Sequence, residues 1–200
     1  MNKLKFSAFL MAAAIALTSA VGCSTKKRTN NESSNTSGAA YSDISGVGEI
    51  QHDVNFGDNT DVNDISYKLN CVIDSGKVKD GLKYIYLDVS IKNNTEQSCD
   101  LSGINNFYLI TEDGKEISTD VRADIYAKHA LEGYEQLLKV AAGSEFNGYV
   151  GFAVDTNVNA FTVCFFPTGT DPNDKKNVIK CEVKSGDIVT APDGMFTETE

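Results

Sequence analysis

Residues 82–93 read Leu82-Lys83-Tyr84-Ile85-Tyr86-Leu87-Asp88-Val89-Ser90-Ile91-Lys92-Asn93. Ile85, Leu87, Val89 and Ile91 occupy every second position, with Tyr84, Tyr86, Asp88 and Ser90 between them. Side chains of an extended strand point alternately to opposite faces, so this period of two predicts a half-buried central strand; helical apolar positions recur every three to four residues. Just upstream, Tyr67, Leu69, Cys71 and Ile73 alternate with Lys68, Asn70 and Val72 until Asp74-Ser75-Gly76 interrupts them. Two alternating runs around a break of turn residues predict an antiparallel hairpin.

Working outward, the same period predicts strands at 107–111 before an Asp113-Gly114 turn, at 146–154, 161–166 and 178–183, and a weaker one at 49–56. One helix is expected over 124–138, where Ile125, Leu131, Tyr134 and Leu138 fit helical spacing around Gly133; it would amount to one or two turns within a crossover. Short strands between Gly, Asn and Asp turns predict an all-β fold, an immunoglobulin-like β-sandwich of about seven to eight strands with one short crossover helix. The chain has no Trp, the residue that antibody-type sandwiches bury on an inner strand.

The ends of the chain read differently. Lys3 and Lys5 precede an apolar run over 6–21, roughly 16 residues and shorter than the ~20 a bilayer-spanning helix needs. Residues 1–22 therefore read as an export signal. The run closes on Ala20-Val21-Gly22-Cys23, which resembles the lipobox of bacterial lipoproteins, with Ala20 where Leu is commoner. The resemblance implies that the Cys23 thiol takes a diacylglyceryl group and that cleavage before Cys23 makes it the first mature residue. Two acyl chains hold a protein on a membrane where one holds it only marginally. From 24 to 47 Ser, Thr, Asn and Gly dominate, so 23–47 reads as the lipidated cysteine and a flexible tether with a reach of roughly 25 to 30 Å. The sandwich is expected over 48–190 and a disordered tail over 191–200.

Residues 82–94, then Phe107-Tyr108-Leu109 with Asp113-Gly114-Lys115, then Ala142-Gly143-Ser144-Glu145-Phe146 with Gly148 and Val150-Gly151-Phe152-Ala153-Val154, resemble the successive signatures of the telokin-like, immunoglobulin-like domain of bacterial lipoproteins. The family usually carries Pro-Gly-Glu where this chain has Ala142-Gly143-Ser144. The resemblance implies a sandwich displayed on the outer face of the cell membrane, and it supplies no catalytic residues.

Eighteen Lys and Arg against 28 Asp and Glu give a net charge of −10, which repels phosphate backbones and anionic lipid headgroups, so a nucleic-acid partner is not expected. The two histidines, His52 and His129, lie far apart in sequence and neither sits beside a nucleophile motif. Residues 155–159 begin like a calcium loop, but Ala160 and Phe166 stand where that loop needs Gly and Glu. Asp58, Asp61 and Asp64, and separately Asp171 and Asp174, are read as turn formers, with an irregular calcium cradle as the rival reading. No cofactor is expected.

Apart from Cys23, Cys71, Cys99, Cys164 and Cys181 remain, an even number in an exported chain. Cys71 shares its face with Leu69 and Ile73, and Cys181 shares its face with Ile179 and Val183. If Val163 lies opposite Cys181, Cys164 faces the other way. Cys71 with Cys181 is then the disulfide candidate, and buried free thiols are the alternative. Tyr84 and Tyr86, on the outward face of the central strand, are binding candidates, unless they lie under the crossover helix.

These readings converge on a non-catalytic lipoprotein, anchored in the membrane through Cys23, that presents a binding module to a protein or envelope component. The alternative is an extracytoplasmic redox or metal-handling protein that uses its cysteines or acidic loops. A third reading is a passive spacer with no ligand.

Overall fold

A computed structural model describes Tyr41 and residues 45–197. The export signal, Cys23 and nearly all of the tether lie outside the described residues, which belong to the second of two units, Thr36–Glu200. In chain order this unit contains β1 (Ile50–Val54), β2 (Asn59–Val62), β3 (Ile65–Lys79), β4 (Leu82–Asn93), β5 (Cys99–Ser102), α1 (Gly103–Asn106), β6 (Phe107–Thr111), β7 (Glu116–Ser118), α2 (Val121–Ala130), β8 (Leu137–Val140), β9 (Glu145–Asp155), β10 (Phe161–Phe165), β11 (Asn177–Val183) and β12 (Ile188–Thr190).

The fold is a β-sandwich. One sheet runs β1-β11-β10-β6-β7 and the other β12-β3-β4-β9, with β2 on β3 and a separate β5-β8 ribbon. Ile85, Leu87, Val89 and Ile91 of β4 are fully buried, in one core with Phe107 and Leu109 of β6, Val163 and Phe165 of β10 and Ile179 of β11. Tyr67 and Phe107 each stack on Phe165 with ring centroids 4.7 Å apart. Burying each large side chain contributes about 1.5–3 kcal/mol, which explains why the inward phase of β4 dictates the pairing around it.

The hairpin turn falls later than the sequence implies. β3 continues past Gly76 to Lys79, and the turn is Asp80-Gly81, with φ of 53° and 78°. Two successive positive φ values give the turn the twist that matches its strands. Ser75 and Gly76 mark a register irregularity between Asp74 and Val78, where the Gly76 amide donates to Asp74 Oδ1. An earlier shift lies between Leu69, opposite Val89, and Cys71, opposite Asp88. The extra residue flips the phase: Val72 is fully buried and Cys71 only half-buried.

Five strands were not expected: β2, β5, β7, β8 and β12 are each three or four residues long, too short for alternation to register. The helix spans Val121–Ala130 and not 124–138. Asp120 caps it by accepting from the Arg122 amide, and Leu131 closes it by donating to the Ala127 carbonyl. Beyond it Gly133 takes a φ of 73°, and β8 follows.

The boundaries at 48 and 190 also move. The Ala191 amide donates to Asp74, the Thr197 amide donates to Ala130, and the Phe196 ring stacks on Tyr126, so 191–197 is docked and not disordered. At the other end Tyr41, inside the expected tether, packs with its ring 5.0 Å from those of Tyr108 and Phe166. A polar average over each segment hides one or two aromatic side chains that find a place on the domain.

Candidate functional site

Helix α2 lies on the outer face of β4 and β9. Its buried side is Ala123, Ala127 and Ala130, small enough for the helix to approach the sheet closely. Gly151 of β9 completes the fit: a Cβ there would lie 2.8 Å from Tyr86 and 3.3 Å from Ala123. Tyr86 is 0% and Tyr84 3% exposed, so neither ring is an open docking platform. The expected binding pair is instead the floor beneath the helix. Burial raises both phenol pKa values, and the Tyr86 hydroxyl donates to the Ala123 carbonyl oxygen at 2.8 Å. Tyr134 donates to the Asp124 carboxylate, which also accepts from Gln136 at 3.0 Å, and these bonds pin the segment after α2 to the helix.

The β3–β4 hairpin extends alongside α2, and a groove of about 430 Å3 lies between them. Lys77 and Lys79 form one wall. Arg122, Ile125, Tyr126 and His129, three to four residues apart and so on one face of α2, form the other. The Lys77 ammonium lies 5.5 Å from the Tyr126 ring centroid, and the Tyr84 and Tyr126 rings are 5.6 Å apart. Asp120 accepts from Arg122 Nε at 2.9 Å and from Nη2 at 2.6 Å. The Arg122 hydrogen bond holds the Asp120 carboxyl below the usual range, and Asp120 in turn raises Arg122. Among the described residues no carboxylate lines the groove, in a chain with ten more acidic than basic residues. A second cleft of about 210 Å3, near Thr111, Asp113 and Asn159, holds the Lys115–Asp155 pair at 3.5 Å. Ligand pockets usually measure about 300–1,000 Å3, which favours the first.

The cysteines do not pair. Val163 does lie opposite Cys181 and Phe165 opposite Ile179, and Cys164 turns to the outer face against Tyr108, Phe166 and Val178. Cys181 points into the core, but the shift in β3 moves Cys71 out of it, to within electrostatic reach of Asp88 and Tyr149. The expected Cys71–Cys181 bond is therefore absent, and all four described cysteines are free thiols. Burial pushes the Cys164 thiol up to about 12 and Cys181 to about 11, and it raises Cys71 and Cys99 as well. A reactive thiol needs the opposite shift.

His52 Nε2 lies 2.9 Å from Asn177 Oδ1 where β1 meets β11, and His129 is on α2, so the fold gives them no shared site. Asp58 and Asp171 accept hydrogen bonds within their own loops, and Asp61 of β2 accepts from the Ser66 hydroxyl of β3. Among the described residues no group of His, Cys, Asp and Glu is placed to hold a metal ion, and no helix is long and apolar enough to cross a membrane. The sequence reading missed Lys77, Lys79, Arg122 and Tyr126. Lys77 and Lys79 at alternate positions in an acidic chain were a visible signal, but only the displaced hairpin turn brings them beside α2.

Residues 54–176, which include both walls of the groove, match the family pattern of DUF4352, a domain of unknown function. The chain belongs to this family. A search of curated proteins finds no match to this DUF4352 chain. Among solved structures it is similar to the yjhA protein from Bacillus subtilis, with 13% identity and a TM-score of 0.47 over 65% of this chain and 98% of that one. It is also similar to an uncharacterised β-sandwich protein from Clostridium difficile, with 12% identity and a TM-score of 0.40 over 68% and 96%. A third is the secreted protein MPT63 from Mycobacterium tuberculosis, with 11% identity and a TM-score of 0.42 over 66% and 96%.

Proposed function

We propose that this DUF4352 chain is a lipoprotein anchored through Cys23 to the outer face of the cell membrane, where its telokin-like, immunoglobulin-like sandwich acts as a non-catalytic binding module for a protein or envelope component. The groove between α2 and the β3–β4 hairpin is the binding site. The observation that carries this reading is the groove's lining: basic and aromatic side chains recruited from two elements, with neither a thiol nor a carboxylate among them. Such a surface suits holding a ligand through charge and aromatic contact. The charged leader and small-residue site ahead of Cys23 support the anchor. A redox role would need a thiol with a depressed pKa, and burial raises all four described thiols.

Two measurements test the proposal. Metabolic labelling with a fatty acid is expected to mark the wild-type chain and not Cys23→Ser; undiminished label in the variant overturns the anchor. Saturable binding to an envelope fraction is expected to fall in Lys79→Ala and Arg122→Gln. Binding that ignores both substitutions overturns the groove as the site.

A further inference from the structure

We infer that the groove between α2 and the β3–β4 hairpin binds a phosphate ester. The inference rests on the proposal that this groove is the binding site, and it names the ligand's chemistry. Three cationic groups approach from two directions, Lys77 and Lys79 from the hairpin and Arg122 from the helix. Lys77 and Arg122 both act electrostatically on the Tyr84 phenol, and so do the carboxylates of Asp80 in the hairpin turn and Asp120.

Donors that converge from separate elements suit a group whose oxygens diverge tetrahedrally. A carboxylate offers only a planar pair, which a single Arg fork satisfies. Here Asp120 already occupies that fork through Nε and Nη2, leaving Nη1 outside the pair, while the two lysines supply point charges of the kind that bind phosphate. An ester is favoured over inorganic phosphate because the groove is far larger than one phosphate needs and includes apolar surface. Ile125, 54% exposed, together with the half-buried Tyr126, offers that surface to a carbon skeleton. Exposing a large aliphatic side chain on a helix whose other face is packed is a cost that a bound ligand would remove.

The ester has two sources, a phospholipid headgroup or a water-soluble phosphate ester, and the test separates them. The complete chain in non-ionic detergent is titrated with glycerol 3-phosphate and, separately, with dihexanoyl phosphatidylglycerol. Calorimetry and phosphorus NMR line width are followed, with glycerol as the uncharged control. Saturable binding is expected for at least one phosphate ester and none for glycerol. Saturation by the lipid alone assigns the source to the membrane, and saturation by both assigns it to the shared phosphate ester. Lys79→Ala with Arg122→Gln is expected to weaken binding about tenfold or more. Lys79→Ala alone, on the exposed hairpin, is expected to weaken it by about threefold without shifting the melting temperature. Lys92→Glu, on β4 away from the groove, should leave binding within about twofold. Failure of both esters to saturate overturns the inference, as does equal weakening by Lys92→Glu or indifference to the groove substitutions. If both esters fail while the envelope fraction still binds through Lys79 and Arg122, the binding module stands and only its phosphate-ester ligand falls.

Discussion

The Tyr86 hydroxyl donates a 2.8 Å hydrogen bond to the Ala123 carbonyl oxygen, joining the central strand β4 to the first turn of α2. The ring is fully buried against Ala123 and Gly151, so the bond sits where water cannot replace it. Through this contact the sheet sets the position of Arg122, the residue before Ala123, and hence one wall of the groove. Tyr86→Phe keeps the ring and loses the bond, and it is expected to cost about 1 kcal/mol in denaturant unfolding. Gly151→Ala pushes a methyl group against the same ring and is expected to cost roughly 1–3 kcal/mol. If both variants unfold like the wild type, α2 is not seated as described.

The phase of β4 is tested by two neighbours. Leu87 is fully buried and Asp88 faces the other side of the sheet. Leu87→Ala is expected to lose about 2 to 5 kcal/mol. Asp88→Ala should stay within roughly 0.5 kcal/mol, since its 3.2 Å bond from Asn70 is long and partly solvated. Equal losses would mean that the inward face had been misassigned.

The buried thiols make an alkaline prediction. In the folded protein Cys164 is pushed up to about 12 and Cys181 to about 11, from an ordinary value of 9.0. Above pH 9 the unfolded chain releases thiol protons that the folded chain retains, so their contribution to stability is whole below 9 and lost as the pH rises toward 11 to 12. Tyrosines raised by burial add to the same trend above about pH 10. The difference between wild type and Cys181→Ala isolates one thiol: the variant's stability should fall less steeply between pH 9 and 11. Parallel curves would show that Cys181 ionises freely in the fold. Alkylation after unfolding without reductant should also label all four domain cysteines.

Phe196 stacks 5.8 Å from Tyr126 and lies 5.0 Å from Tyr86, and the next residue's amide bonds to Ala130. Phe196→Ala is expected to cost about 1–2 kcal/mol, less than a fully buried Phe because the ring is only half-covered. It should also speed hydrogen exchange in α2. Unchanged exchange would show that the helix does not depend on this strap.

The alternation at Ile85, Leu87, Val89 and Ile91 was enough to establish a strand and its core-facing side, and several such runs between turn residues made the sandwich legible. That Val163 and Cys181 share the core side was legible for the same reason, whereas their register entered the sequence reading only as a condition, which the structure meets. An interrupted run carries no such information. In β3 one extra residue between Leu69 and Cys71 exchanged the faces of Cys71 and Val72, and no local pattern announced it. That shift, more than any feature of the thiols, removed the expected disulfide.

By itself the sequence determined the strands that are long enough to alternate and the core face of each uninterrupted run. Those properties are local, written in spacing and composition. Tertiary structure decided where α2 lies, that Tyr84 and Tyr86 are covered by it, and that Lys77 and Lys79 face Arg122 across a groove. Each depends on a contact between segments far apart in the chain: Tyr86 with Ala123, Gly151 with the helix, and Phe196 with Tyr126. Such contacts follow from close packing in three dimensions, which no periodicity along one segment encodes.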